Sequence, residues 1–166
     1  GVNPDGSLDK CELVAEGDIQ SILGSEATAM PLEGLVAGTI GQLLDRRVLP
    51  DAPDCWIISD NSSQVTGRLA QQDGNASGTF SQAKQAAQDA GYFAGDVSVG
   101  DEAFCTGLSE VGSFGILVRR GDSLAYVGLI DATAMEAQDF EIGGDGNIRS
   151  PRVCELAGRI AEAVLR

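Results

Sequence analysis

The chain has 166 residues, with 25 acidic against 11 basic and a formal net charge of −14, a length that suits one domain with a full hydrophobic core. Charge of that sign repels phosphate backbones and argues against a nucleic-acid partner. Histidine is absent, which removes the commonest general base, the commonest zinc ligand and every Ser-His-Asp or Cys-His arrangement.

Residues 1–10, GVNPDGSLDK, read as a polar, disordered leader, which leaves 11–166 as a single domain. No basic segment followed by an apolar one opens the chain, so an export signal would belong to a precursor. No run of about 18 apolar residues is present to cross a membrane. The apolar fraction is 43%, aromatics are 5% and there are 22 glycines, which predicts an aliphatic core with many turns.

VAEGDIQSILG (14–24) reads as a short helix. Ile19, Ile22 and Leu23 share its apolar face and Gly24 stands where a helix-ending glycine belongs. EGLVAGTIGQLLDRRVLP (33–50) is ambiguous. Val36, Ile40, Leu43 and Leu44 have helical spacing, yet Gly34, Gly38 and Gly41 weaken it. Such a segment suits the lip of a ligand or partner site, and these four residues are the candidates for it.

CWIIS (55–59) has the bulky and β-branched content of a strand, and QVTGRLAQ (64–71) is its antiparallel partner across a short turn. TFSQAKQAAQDAG (79–91) reads as a helix, with Thr79 and Gln82 at capping-box spacing and Gly91 at its end. DVSVGDEAFC (96–105) reads as an extended stretch, a Gly-Asp turn and a short strand. SFGILVRRGDSLAYVGLID (113–131) is a hairpin whose arms are apolar on both faces, which predicts the middle of a covered sheet. Residues 132–149 form a polar, glycine-rich connection. SPRVCELAGRIAEAVLR (150–166) is a helix with Ser150 as cap and Pro151 at its first position. Helices alternate with strands joined by hairpin-length turns, so the fold class is α+β, a mainly antiparallel sheet flanked by helices.

The four cysteines, Cys11, Cys55, Cys105 and Cys154, stand far apart. No C-x-x-C spacing supports a redox motif or a zinc ribbon. Two disulfides in an exported chain fit this pattern. Three connectivities exist, and Cys11–Cys55 with Cys105–Cys154 is preferred because it places one staple in each half.

Other chemistry is sparse. Asp101 and Glu102 are adjacent and would point to opposite faces of a strand, a poor catalytic pair, so Asp101 reads as a turn residue. DFEIGGDGN (139–147) lacks the spacing of a calcium loop. Arg120-Gly121-Asp122 matches an adhesion tripeptide, but a hairpin turn needs Gly and Asp for its own geometry. Asn61 and Asn75 head glycosylation sequons. The two lysines, Lys10 and Lys84, make a Ser-Lys dyad a poor fit. Trp56 is expected to pack against the disulfide and the core. No metal or cofactor ligand set is visible.

Taken in order, LDKCELVAEGDIQSILG, CWI, GDVSVGDEAFC, GILVRRGDSLAYVGL and ELAGRIAEAVL resemble a family of secreted actinobacterial lipoproteins of unknown function. The resemblance spans residues 8–166. It implies a Cys11–Cys55 disulfide, export, an N-terminal lipid anchor and a Mog1/PsbP-like or related antiparallel sheet flanked by helices. Cys105 and Cys154 depart from the pattern as an extra pair, and 34–48 is expected to be a loop. The family brings no activity and hence no catalytic residues. The expectation is an exported cell-envelope binding or interaction module without catalysis. Its partner would be an unknown envelope protein or a small apolar ligand. The alternative is a small-molecule or lipid carrier with a pocket between sheet and helices, and an enzyme stands third.

Overall fold

The computed structural model describes residues 11–24, 27–31, 48–49, 52–59, 65–108, 113–131, 141–142 and 148–165. The leader at 1–10, the sequon residue Asn61 and the lip candidates Val36, Ile40, Leu43 and Leu44 lie outside the described residues.

The elements run α1 (Glu16–Leu23), β1 (Ala27–Pro31), β2 (Asp54–Ser59), β3 (Val65–Asp73), α2 (Ala76–Ala90), β4 (Phe93–Val97), β5 (Glu102–Leu108), β6 (Ser113–Arg120), β7 (Ser123–Asp131), β8 (Glu141–Ile142), β9 (Ile148–Arg149) and α3 (Pro151–Val164). Seven strands form one sheet in the order β1-β2-β3-β7-β6-β5-β4. Every neighbouring pair in it is antiparallel. The apolar hairpin expected at mid-sheet is there: β7 is the central strand and β6 lies beside it. β8 and β9 pair separately with each other.

Alternation along the strands divides the core into two layers. On one face, Ile57, Leu69, Ile116 and Val127 meet α1 through Ile19 and Leu23, and α3 through Val153, Ala157 and Ile160. On the other face, Phe104, Leu117 and Tyr126 meet Phe80 and Ala87 of α2, together with Val48 and Leu49. Phe104 is the hub there, with ring centroids 5.4 Å from Phe80 and 5.6 Å from Phe93. Arg68, Gly128, Gly115 and Thr106 stand side by side across four strands. The two glycines leave a lane for the buried Tyr126 ring. A Cβ at either would come within 2.8 Å of its hydroxyl oxygen.

Two disulfides, Cys11–Cys55 and Cys105–Cys154, close the chain as the preferred connectivity has it. The described residues hold no free cysteine. Cross-links of this kind belong to chains that fold in an oxidising environment.

Several local readings need correction. Helix α2 begins at Ala76, three residues before Thr79. Thr79 is no cap: its hydroxyl accepts a hydrogen bond from Gln72 Nε2 at 3.0 Å. Trp56 faces away from the disulfide, because its neighbours Cys55 and Ile57 belong to the α1–α3 face and successive strand residues alternate. Strand β1 has a sequence, ATAMP, too short and small to announce itself.

Candidate functional site: the groove between β4 and α3

The groove follows from a mismatch of widths. Seven strands at about 4.8 Å spacing span about 29 Å, while two helices, each about 10–12 Å across with side chains, cover some 20–24 Å. Helix α3 lies on β6 and β7, and α1 lies on β1. A strip of that face is left over at the β4 edge. It is a concavity of about 420 Å³, floored by Val97, Val99, Ile116 and the Cys105–Cys154 disulfide, with α3 as its wall. That volume falls in the range of small-molecule sites, about 300–1,000 Å³.

The wall is built from the sequence upward. Ser150 is buried and its hydroxyl accepts from the Val153 amide at 3.3 Å, while Pro151 opens the helix. Val153, Ala157, Ile160 and Val164 turn inward. Glu155, Arg159 and Glu162 follow one another along the groove side at exposed positions. Gly158 stands among them, buried. A glycine inside a helix costs about 1 kcal/mol relative to alanine. Packing does not demand it here: a Cβ would stand 3.4 Å from Ile116 Cδ1 and 3.8 Å from Val99 Cγ2, ordinary contact distances. What the missing side chain does is keep the floor open.

The opposite wall is the edge strand. β4 carries a bulge at Phe93/Gly95, a device that discourages a further strand from pairing there. Asp96 lines the groove yet reaches Lys84 of α2, Nζ to Oδ1 2.7 Å. Lys84 Nζ also lies 5.7 Å from the Phe93 ring centroid, so this lysine braces the edge from the far face. Val97 is the one large hydrophobic residue that is exposed among those whose side chains are described.

A second recess, polar and of about 320 Å³, is bounded by Gly100, Asp101, Val118, Arg120, Glu162 and Leu165. Its base is a pair of tied turns. Asp101 accepts from the Gly121 amide at 2.7 Å, and the Asp101 amide donates to Arg119 O at 2.8 Å. Asp101 thus does act as a turn residue, but it ties the β4–β5 turn to the β6–β7 turn rather than its own local backbone. Arg119 lies 3.6 Å from Asp101 and 3.2 Å from Glu102, so both carboxylates are held in structural contacts.

Asp122 of the Arg-Gly-Asp tripeptide is likewise occupied. Its carboxylate accepts from the Ala76 amide at 3.0 Å and its carbonyl from the Gly74 amide at 2.7 Å. It therefore caps α2, whose own N-cap, Asn75, makes no side-chain cap bond. Asp122→Ala should lower stability by about 1 kcal/mol, the usual worth of such a cap, while Asp122→Asn should recover most of it. Urea denaturation of the two variants checks this. Equal stability of the wild type and the alanine variant would show that the carboxylate is not the cap.

Among the described residues there is no group of three or more His, Cys, Asp or Glu side chains placed to hold a metal ion. None of their helices is long and apolar enough to cross a membrane. Of the site residues expected from sequence, the structure brings Cys105 and Cys154 to the groove floor and places Cys11 and Cys55 at the β1–β2 edge, in the core layer shared with α1. The described end of the 33–50 segment, Val48 and Leu49, is buried on the opposite face. Sequence reasoning missed the groove. The signal that pointed to it was Gly158, a lone glycine in an otherwise regular amphipathic helix.

No protein-family model matches the chain, and no curated protein or solved structure is significantly similar to it.

Proposed function

We propose that this chain is an exported, non-enzymatic binding module of the cell envelope that carries a small ligand, its apolar part in the groove between β4 and α3. The observation that carries the reading is the groove itself, an apolar concavity of ligand size held open by Gly158. A protein-docking surface would instead call for a contiguous exposed apolar patch. Among the residues whose side chains are described, Val97 is the one large hydrophobic residue exposed. Among the described residues, the groove's carboxylates do not form a close pair. Glu155 and Glu162 are seven residues apart on α3, about 10 Å along its axis, and Asp96 is bound to Lys84. The two disulfides support export. The resemblance to secreted actinobacterial lipoproteins supports an envelope location with an N-terminal lipid anchor.

The test uses the neutral apolar fluorophore N-phenyl-1-naphthylamine. Its fluorescence should rise saturably with one site per chain, and Gly158→Leu should abolish the rise by filling the floor. The control is Gly158→Ala, which should raise stability by up to about 1 kcal/mol, since its Cβ finds ordinary contacts. Absence of saturable binding, or binding indifferent to Gly158→Leu, would sink the reading. Native mass spectrometry of protein purified from its own host should show a retained small ligand.

A further inference from the structure

We infer that the occupant is a single-chain amphiphile with a zwitterionic head, its chain in the groove and its head in the polar recess. This rests on the reading of the groove as a ligand site. Glu162 lines both cavities, so it marks the seam where an apolar body would meet a polar end. At that seam the recess presents charges of both signs from two different elements: Arg120 at the end of β6 and Glu162 on α3. Both are exposed. Asp101, the third charge, is already held by the Gly121 amide and lies near Arg119. Among the described residues, no hydrogen bond or ion pair engages Arg120 or Glu162 in the same way.

A guanidinium suits a phosphate or carboxylate, and a carboxylate suits an ammonium group. A purely anionic head would face Glu162 and a chain of net charge −14, which repels it. A purely cationic head would face Arg120. A head carrying both charges satisfies both walls. Size limits the body. The groove, at about 420 Å³, sits near the small end of the range for small-molecule sites, about 300–1,000 Å³, which suits one alkyl chain.

The experiment titrates the full chain with three probes of equal tail, each below its micelle-forming concentration. These are dodecylphosphocholine, dodecyltrimethylammonium and dodecyl maltoside, followed by calorimetry. The zwitterion should bind at least tenfold more tightly than either of the others. Glu162→Gln and Arg120→Gln should each weaken it about tenfold and leave the maltoside within twofold, with unchanged thermal stability. Shortening the tail by one methylene should weaken each probe about fourfold. In a sedimentation assay with dioleoylphosphatidylcholine vesicles, the protein should stay in the supernatant. Equal affinity for the three heads, or preference for the cation, would overturn the head assignment and leave the groove reading standing. Co-sedimentation with vesicles would overturn the single-chain assignment. If none of the three probes binds while the naphthylamine still does, the amphiphile assignment falls and the groove reading stands.

Discussion

The Cys105→Ala, Cys154→Ala double variant is expected to lose about 4 kcal/mol of stability, because the bridge spans 49 residues and a loop of that length carries about that much chain entropy. Removing Cys11–Cys55, which spans 44 residues, should cost about the same by the same argument. The pairs differ in what else they touch. Cys105 and Cys154 floor the groove and tie β5 to the helix that walls it. Cys11 and Cys55 lie at the other edge, where the Cys11 amide donates to Ala29 O at 3.1 Å. Equal losses of stability should therefore come with unequal losses of binding. Naphthylamine uptake should fall with the first pair and persist with the second, at a temperature where both variants are folded. Urea denaturation and fluorescence titration of the two double variants measure both. A stability loss well under 2 kcal/mol for either would refute the loop-entropy account, and equal binding losses would remove the groove from the first pair's role.

Elements whose causes lie within their own residues were legible in the sequence. The arms of the β6–β7 hairpin are apolar on both faces, and only a covered central position satisfies that. Helix α3 carries its own cap in Ser150, its own start in Pro151 and a full stripe in Val153, Ala157, Ile160 and Val164. Elements defined by distant partners were not. The start of α2 is set by Asp122, 46 residues further on, so Thr79 offered a local cap that the fold does not use. The groove is hidden for a different reason. It arises from what two helices fail to cover on a sheet of seven strands, and no residue pattern encodes an uncovered strip. Gly158 alone reported it, as a local cost without a local benefit. Arg68 looks in the sequence like one polar position in the strand QVTGRLAQ, and nothing near it names the groups it binds.

Arg68→Ala should cost about 3–5 kcal/mol, the range for removing one partner of a buried ion pair. Its side chain is fully buried, on the face covered by α2. Nε donates to Asp54 Oδ2 at 2.9 Å, Nη1 to Val48 O at 2.6 Å and Nη2 to Leu49 O at 2.6 Å. All three acceptors lie across strand or loop boundaries, so one guanidinium joins β2, β3 and the chain that leads into β2. Leu49 has φ +49°, a left-handed backbone that costs a non-glycine residue about 1–2 kcal/mol. Losing the clamp would leave that strain unopposed and two buried carbonyls without their donor, at about 1–3 kcal/mol each.

Methionine separates shape from charge here. Arg68→Met refills most of the volume but supplies no donor, so it should recover little. Arg68→Lys keeps the charge but replaces the planar fork with a point donor that cannot reach the three acceptors in the same geometry, and should lose about 2 kcal/mol or more. Because the group is buried, these losses should change little between 0.05 and 0.5 M salt, unlike those of an exposed pair. Equilibrium urea denaturation of the three variants at both salt concentrations is the measurement. If Arg68→Met matches the wild type, the carbonyls of Val48 and Leu49 have found other partners and the clamp is not what holds this segment against the sheet.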